Sequence, residues 1–153
     1  MARIKLVLDI KAPPEVCFDL SRDLDLHRGS MSHTNEEAVA GRTSGLIELG
    51  EEVTWRARHF GMVHLHKARI SAFDRPRHFR DEMVEGRFRS FVHDHYFEAT
   101  ATGTRMTDEL EFRAPLGPLG ALVDALVLKG YLRRLLQTRN EFIRREAQAG
   151  SNR

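Results

Sequence analysis

Four histidines stand in two alternating pairs, His64 with His66 and His93 with His95. Side chains two apart on a strand share a face, so each pair presents two imidazoles side by side. An H-x-H pair of this kind can ligate zinc. The pairs fall on strands separated by a third, which sets them roughly 9–10 Å apart across a sheet. That span is too wide for one tetrahedral ion, and no CxxC, HExxH or DxD pattern supplies further ligands. Neither a metal nor a cofactor is expected. His95 and Asp108 lie on neighbouring strands of one hairpin, so they can pair. An imidazole held by a carboxylate can serve as a general base. It can equally be a satisfied buried polar pair. The two readings stay open, and His95 and Asp108 are the catalytic candidates only if the protein is an enzyme. By alternation, Asp81, His93, His95 and Asp108 share positions with apolar neighbours and point toward a concave face. No nucleophile elbow, phosphate loop or dinucleotide fingerprint occurs. Gly117-x-x-Gly120 reads as a helix entry, because no strand and Gly-rich loop with Lys precedes it.

The elements that must position these groups are legible in the hydrophobic pattern. Residues 2–11 alternate, with Ile4, Leu6, Leu8 and Ile10 on one face. Ala12-Pro13-Pro14 ends that strand, and Pro14 can occupy the first turn of a helix. Two short helices follow, one around Val16–Leu20 and one from Asp23 to about Gly29. They suggest an elbow rather than a crossover. A polar strand is expected at 34–41 and a loop at 42–50, where Leu46, Ile47 and Leu49 read as a plug or as the lining of a pocket mouth. Five strands then run from Glu51 to Pro115, joined by Phe60-Gly61, Asp74-Arg75-Pro76, Glu85-Gly86 and Thr102-Gly103. Short turns between successive strands make an antiparallel meander.

The stretch from Pro118 to about Ala147 is expected to form one helix about 45 Å long. Its first half, Leu116 to Leu128, is apolar on nearly every side apart from Asp124. Its second half carries one apolar stripe: Leu132, Leu135, Leu136, Phe142 and Ile143. Arg133, Arg134, Arg139, Arg144 and Arg145 are assigned to the opposite face. Gly130, between the halves, implies close approach to the sheet, a mild kink, or space for a ligand.

Composition narrows the function classes. The 153 residues suit one domain, expected over 1–149 with a loose tail at 150–153. Apolar residues make up 41%, enough for a core, and the net charge is +2. That balance does not argue for nucleic acid. The pairs Arg56/Arg58, Arg87/Arg89 and Arg133/Arg134 read as solvated surface. The single cysteine, Cys17, cannot form an internal disulfide and reads as a buried small hydrophobe. No signal peptide is evident, and the longest apolar run is too short to span a bilayer. A soluble, cytoplasmic protein is expected.

Several stretches sharpen this picture: Leu49-Gly50-Glu51-Glu52-Val53-Thr54-Trp55 with His59-Phe60-Gly61, and Phe73-Asp74-Arg75-Pro76 with Phe79 and Asp81-Glu82-Met83. Others are His95-Tyr96-Phe97-Glu98, Gly103-Thr104-Arg105-Met106-Thr107-Asp108 and Pro115-Leu116-Gly117-Pro118-Leu119-Gly120. Together with the element order, the chain resembles the SRPBCC or START-like superfamily, which is polyketide cyclase/dehydrase-type and birch-pollen-allergen-like. The resemblance spans nearly the whole chain. It implies an α+β helix-grip fold: a curved antiparallel sheet of about seven strands wrapped around a long C-terminal helix, with a deep pocket between them. It names no ligand or reaction, because one fold hosts many functions.

The leading expectation is a non-enzymatic binding and carrier module for a small hydrophobic molecule of lipid, polyketide or aromatic type. The expected lining is Trp55, His64, His66, Met83, Phe91, His93, His95, Asp108, Leu122, Leu126 and Tyr131. The alternative is a cyclase or dehydratase that uses a pocket histidine with Asp108. A third reading makes the apolar first half of the last helix a docking face, for a homodimer or transient membrane contact. No nucleic-acid partner is expected.

Overall fold

The computed structural model describes residues 1–115 and 117–151. Strand β1 (Ala2–Ile10) leads into helices α1 (Pro14–Ser21) and α2 (Leu24–Ser30). Strands β2 (Glu37–Gly41), β3 (Glu52–His59), β4 (Met62–Asp74), β5 (His78–Glu85), β6 (Ser90–Thr100) and β7 (Gly103–Arg113) follow. Helix α3 (Gly117–Val123), a π-helical turn (Asp124–Leu128) and helix α4 (Lys129–Ser151) close the chain. The sheet is seven-stranded, in the order β1-β7-β6-β5-β4-β3-β2. Every neighbouring pair is antiparallel. This is the helix-grip architecture expected from the resemblance.

The turns follow from local chemistry. Phe60 and Gly61 both have positive φ, 53° and 72°, the conformation that lets a two-residue turn match strand twist. Gly103 closes the β6–β7 hairpin. A Cβ there would come within 2.1 Å of the Ile10 carbonyl oxygen, so backbone packing excludes a side chain. The α2 N-cap is Asp23, whose carboxylate accepts from the Asp25 and Leu26 amides at 3.0 and 3.2 Å. Helix α1 has no side-chain cap but starts on Pro14, whose missing N–H costs nothing there. Strand β2 begins at Glu37 rather than 34, because Ser32–Thr34 form a 3₁₀ turn and Asn35 turns left-handed.

Two apolar clusters grip the helix. In the larger, Phe18 of α1 meets Phe73, Phe79 and Phe97 edge-on, joined by Cys17, Met106, Ile143 and Ala147. Cys17 is fully buried there. The smaller holds Ala2, Ile4, Leu110, Phe112 and Leu136. Ile47 of the 42–50 loop plugs the larger cluster at 3% exposure, whereas Leu49 points to solvent.

The closing helix departs from expectation. It is not one regular rod, because the π turn interrupts it. A π turn inserts an extra residue, which rotates the upstream faces away from the stripe of α4. Leu119, Leu122, Leu126 and Val127 therefore stay exposed. Leu116 lies outside the described residues. Gly130 makes no close approach to the sheet: an added Cβ would meet only Arg134 Nη1, at 3.8 Å. The irregularity lies just before it, in the π turn.

Candidate functional site

Between the concave sheet face and α4 lies a cavity of about 400 Å³, within the roughly 300–1,000 Å³ of small-molecule sites. Its floor includes Val53, Trp55, Ala68, Ile70, Phe79 and Phe91, and its roof is Leu128, Tyr131, Leu132, Leu135 and Leu136. Alternation puts the floor residues on one face of each strand, and the 3.6-residue period puts the roof residues on one face of α4. Phe60 and Leu65 stand at the mouth, more than half exposed.

The deep end is a buried polar cluster built on three adjacent strands. Asp81 (β5) lies opposite His93 (β6), and His95 lies opposite Asp108 (β7). His93 Nε2 donates to Asp108 Oδ1 at 2.8 Å, and His95 Nε2 donates to Asp81 Oδ2 at 2.7 Å. His95 Nδ1 also faces Asp108 Oδ1, at 3.2 Å. From α4, Asn140 Nδ2 donates to Asp108 Oδ2 at 2.7 Å. Arg139 Nη1 approaches Asp108 at 3.5 Å, and its Nη2 donates to the Ser21 carbonyl at 3.2 Å.

Electrostatics assign the charges. Burial opposes ionisation of Asp81 and Asp108, but hydrogen bonds from the histidines and the nearby cations hold both well below the carboxylate range. Burial likewise opposes a charge on His95, yet its bonds to Asp108 and Asp81 win and raise its pKa. Burial, then the charge on His95, lowers that of His93. The cluster thus sets two carboxylates against the Arg139 guanidinium and a His95 on which a proton is favoured, beside a His93 on which a proton is disfavoured. Charges this deep are tolerated only when paired and hydrogen-bonded. Asp81, His93 and His95 each offer an atom within 4.8 Å of one another, a spacing that could hold a metal ion. The hydrogen bonds and Arg139 supply the same compensation without one.

A second polar group rims the mouth. His59 Nδ1 and the Tyr131 hydroxyl lie 2.6 Å apart, and His64 Nε2 donates to the His59 carbonyl at 3.1 Å. His27 Nε2 donates to Glu36 Oε1 at 2.8 Å, while the His27 ring packs on Trp55. Burial lowers the pKa of His59 and of His66, whose ring packs against Phe91.

Of the expected lining, Trp55, His64, His66, Phe91, His93, His95 and Tyr131 meet around this one cavity. Asp108 is not in the lining: it sits beneath the wall, 1% exposed, and is bonded to His93. Met83 lies beside Gly86 instead, and Arg87 and Phe88 of the next turn supply the wall there. Leu122 and Leu126 are 54% and 71% exposed; the π turn carries them off the roof, and Leu132, Leu135 and Leu136 take their place. Arg139, expected on the solvated face, is 3% exposed. It lies one turn past Leu135 and Leu136, so helical period alone would have placed it inside. Asn140 follows the same rule. Glu36, His27 and His59 were not anticipated, because nothing in their local pattern marks them.

Residues 1–148 match the family described as polyketide cyclase/dehydrase and lipid transport. No curated protein matches the chain in sequence. Among solved structures, the protein TTHA0849 of Thermus thermophilus is similar at 21% identity and a TM-score of 0.75, over 98% of this chain and 99% of that one. Major latex-like protein 151 of Panax ginseng aligns at 16% identity and a TM-score of 0.67, over 95% and 97%. The protein Ara h 8.0201 aligns at 14% and 0.71, over 97% and 98%. At such identities the likeness shows the fold alone.

Proposed function

This chain belongs to the polyketide cyclase/dehydrase and lipid transport family, and from that premise we propose that it binds and carries a small, mainly apolar molecule in the cavity beneath α4. The observation that supports this reading is the cavity itself: about 400 Å³ that the protein's own side chains leave unfilled. Burial of apolar ligand surface there is favourable by about 25 cal/mol per Å², and the few polar groups set orientation. The test is binding of 1-anilinonaphthalene-8-sulfonate, read by its fluorescence and by native mass spectrometry of the purified protein for a retained guest. Leu132→Trp, which fills the roof side, should abolish dye binding while circular dichroism stays unchanged. Undiminished binding in that variant would place the dye elsewhere and sink the reading.

The catalytic alternative, a cyclase or dehydratase, moves to a different residue. His95 Nε2 bonds Asp81, and its Nδ1 is occupied by Asp108 at 3.2 Å and Arg139 at 3.5 Å, so neither nitrogen is open to a substrate. His93 bonds Asp108 through Nε2 only, which makes it the base such an enzyme would use. A docking role for α3 is supported by Leu119, 63% exposed; it predicts self-association, as a homodimer or on vesicles, that Leu119→Lys abolishes.

A further inference from the structure

The two polar groups at opposite ends of the cavity define a length. Tyr131 anchors one through His59, and Arg139 closes the other against His95 and Asp108. Both stand on α4, and the helix advances about 12 Å between them at 1.5 Å per residue. Between them the wall is apolar: Trp55, Phe79, Phe91, Leu132 and Leu135.

Each end also has hydrogen-bonding capacity left over. At the deep end, His93 lines the cavity and is 6% exposed. Its Nε2 donates to Asp108, so its Nδ1 carries the lone pair in the neutral ring. Nδ1 has no protein partner among the described residues. At the mouth, a phenolic hydroxyl can make one more bond than the one Tyr131 makes with His59. Glu36 Oε1 is held by His27, while its Oε2 has no hydrogen-bond partner among the described residues. A polar atom that a guest covers and leaves unmatched costs free energy, so both ends favour a guest that supplies donors.

Resting on the binding reading above, we infer that the preferred guest is an elongated, rigid, largely apolar molecule with a hydroxyl at each end. One hydroxyl donates to His93 Nδ1 and the other meets Tyr131 and Glu36. A simple hydrocarbon or a molecule polar at one end leaves one station unmatched.

The probes are stilbene, 4-hydroxystilbene and 4,4′-dihydroxystilbene, rigid apolar rods that carry no hydroxyl, one hydroxyl, and one at each end. Binding is read by quenching of Trp55, the only tryptophan, which lines the cavity. Each hydroxyl should tighten binding about fivefold, the worth of one neutral hydrogen bond. Tyr131→Phe should erase one of the two steps, and His93→Phe the other. Should His93→Phe not fold, the ligand series and Tyr131→Phe suffice. Equal affinity for all three probes, or a full gain for the diol in Tyr131→Phe, overturns the inference and leaves the binding reading standing. So does dye binding with no stilbene bound. Loss of dye and stilbenes alike from the unmodified protein overturns both.

Discussion

His93 and His95 show how little separates two roles. They are two residues apart on one face, their ring centroids lie 3.8 Å apart, and their pKa values are pushed in opposite directions because their partners differ. His95 lies between two carboxylates; His93 has one, plus a cation for a neighbour. The pairing of His95 with Asp108 was readable from hairpin register. Register fixes Cα neighbours, not rotamers, so it could not show that the shorter bond to Asp108 comes from His93. Arg139 was misplaced because long cations are ordinarily solvated, and only a buried carboxylate opposite it makes its burial tolerable. Removing that carboxylate should expose the dependence. Asp108→Asn leaves a buried cation excess and should cost about 3–5 kcal/mol, measured as a lowered urea midpoint. A change under about 1 kcal/mol would show the cluster to be solvated.

At the scale of elements, the strands were legible because a half-buried strand alternates and turn residues punctuate it. Observed boundaries from β3 to β7 lie within two residues of the expected ones, and those of β4 coincide with them. The upstream half of the last helix was not legible. Its apolar residues look like core, and nothing in a linear pattern reports a π turn. The contrast can be measured. Leu126→Ser, at an exposed site, should shift stability by less than about 0.5 kcal/mol. Phe18→Ala, at the meeting point of three aromatic rings, should cost about 3–5 kcal/mol. Comparable losses in the two variants would contradict the exposed placement of the π turn.

For the molecule as a whole, burial of neutral histidines sets the response to acid. His59, His66 and His93 have folded pKa values below 6.5. The unfolded chain binds protons that the folded chain refuses, so stability falls as pH drops below about 6.5. Asp81 and Asp108 act in the same direction at lower pH: their contribution is present above 3.8 and lost as pH falls through their folded values. His95 acts oppositely, contributing fully below 6.5 and losing its effect as pH rises through its raised value. With three histidines against one, the urea midpoint should be lower at pH 5 than at pH 7, and His66→Phe should flatten the slope. A guest adds stability by mass action, about 2.7 kcal/mol at a hundredfold excess over Kd. For a chain of this size that is a rise in Tm of about 5–10 °C, to be read by calorimetry with saturating dye.

The pairing of β1 with β7 brings Ile4 beside Leu110, and the Lys11 amide donates to Gln148 at 3.1 Å. The sheet therefore cannot complete its β1 edge until β7 (Gly103–Arg113) has been made, and the roof arrives last of all. Such distant partners slow folding. The first residue of β1 packs near Leu136 while Lys11 meets Gln148, so start and finish lie on the order of 30 Å apart along β1: a circular permutant with new termini cut at Phe60-Gly61 should preserve the fold, and change the order in which its parts assemble, only with a linker of about ten residues or more.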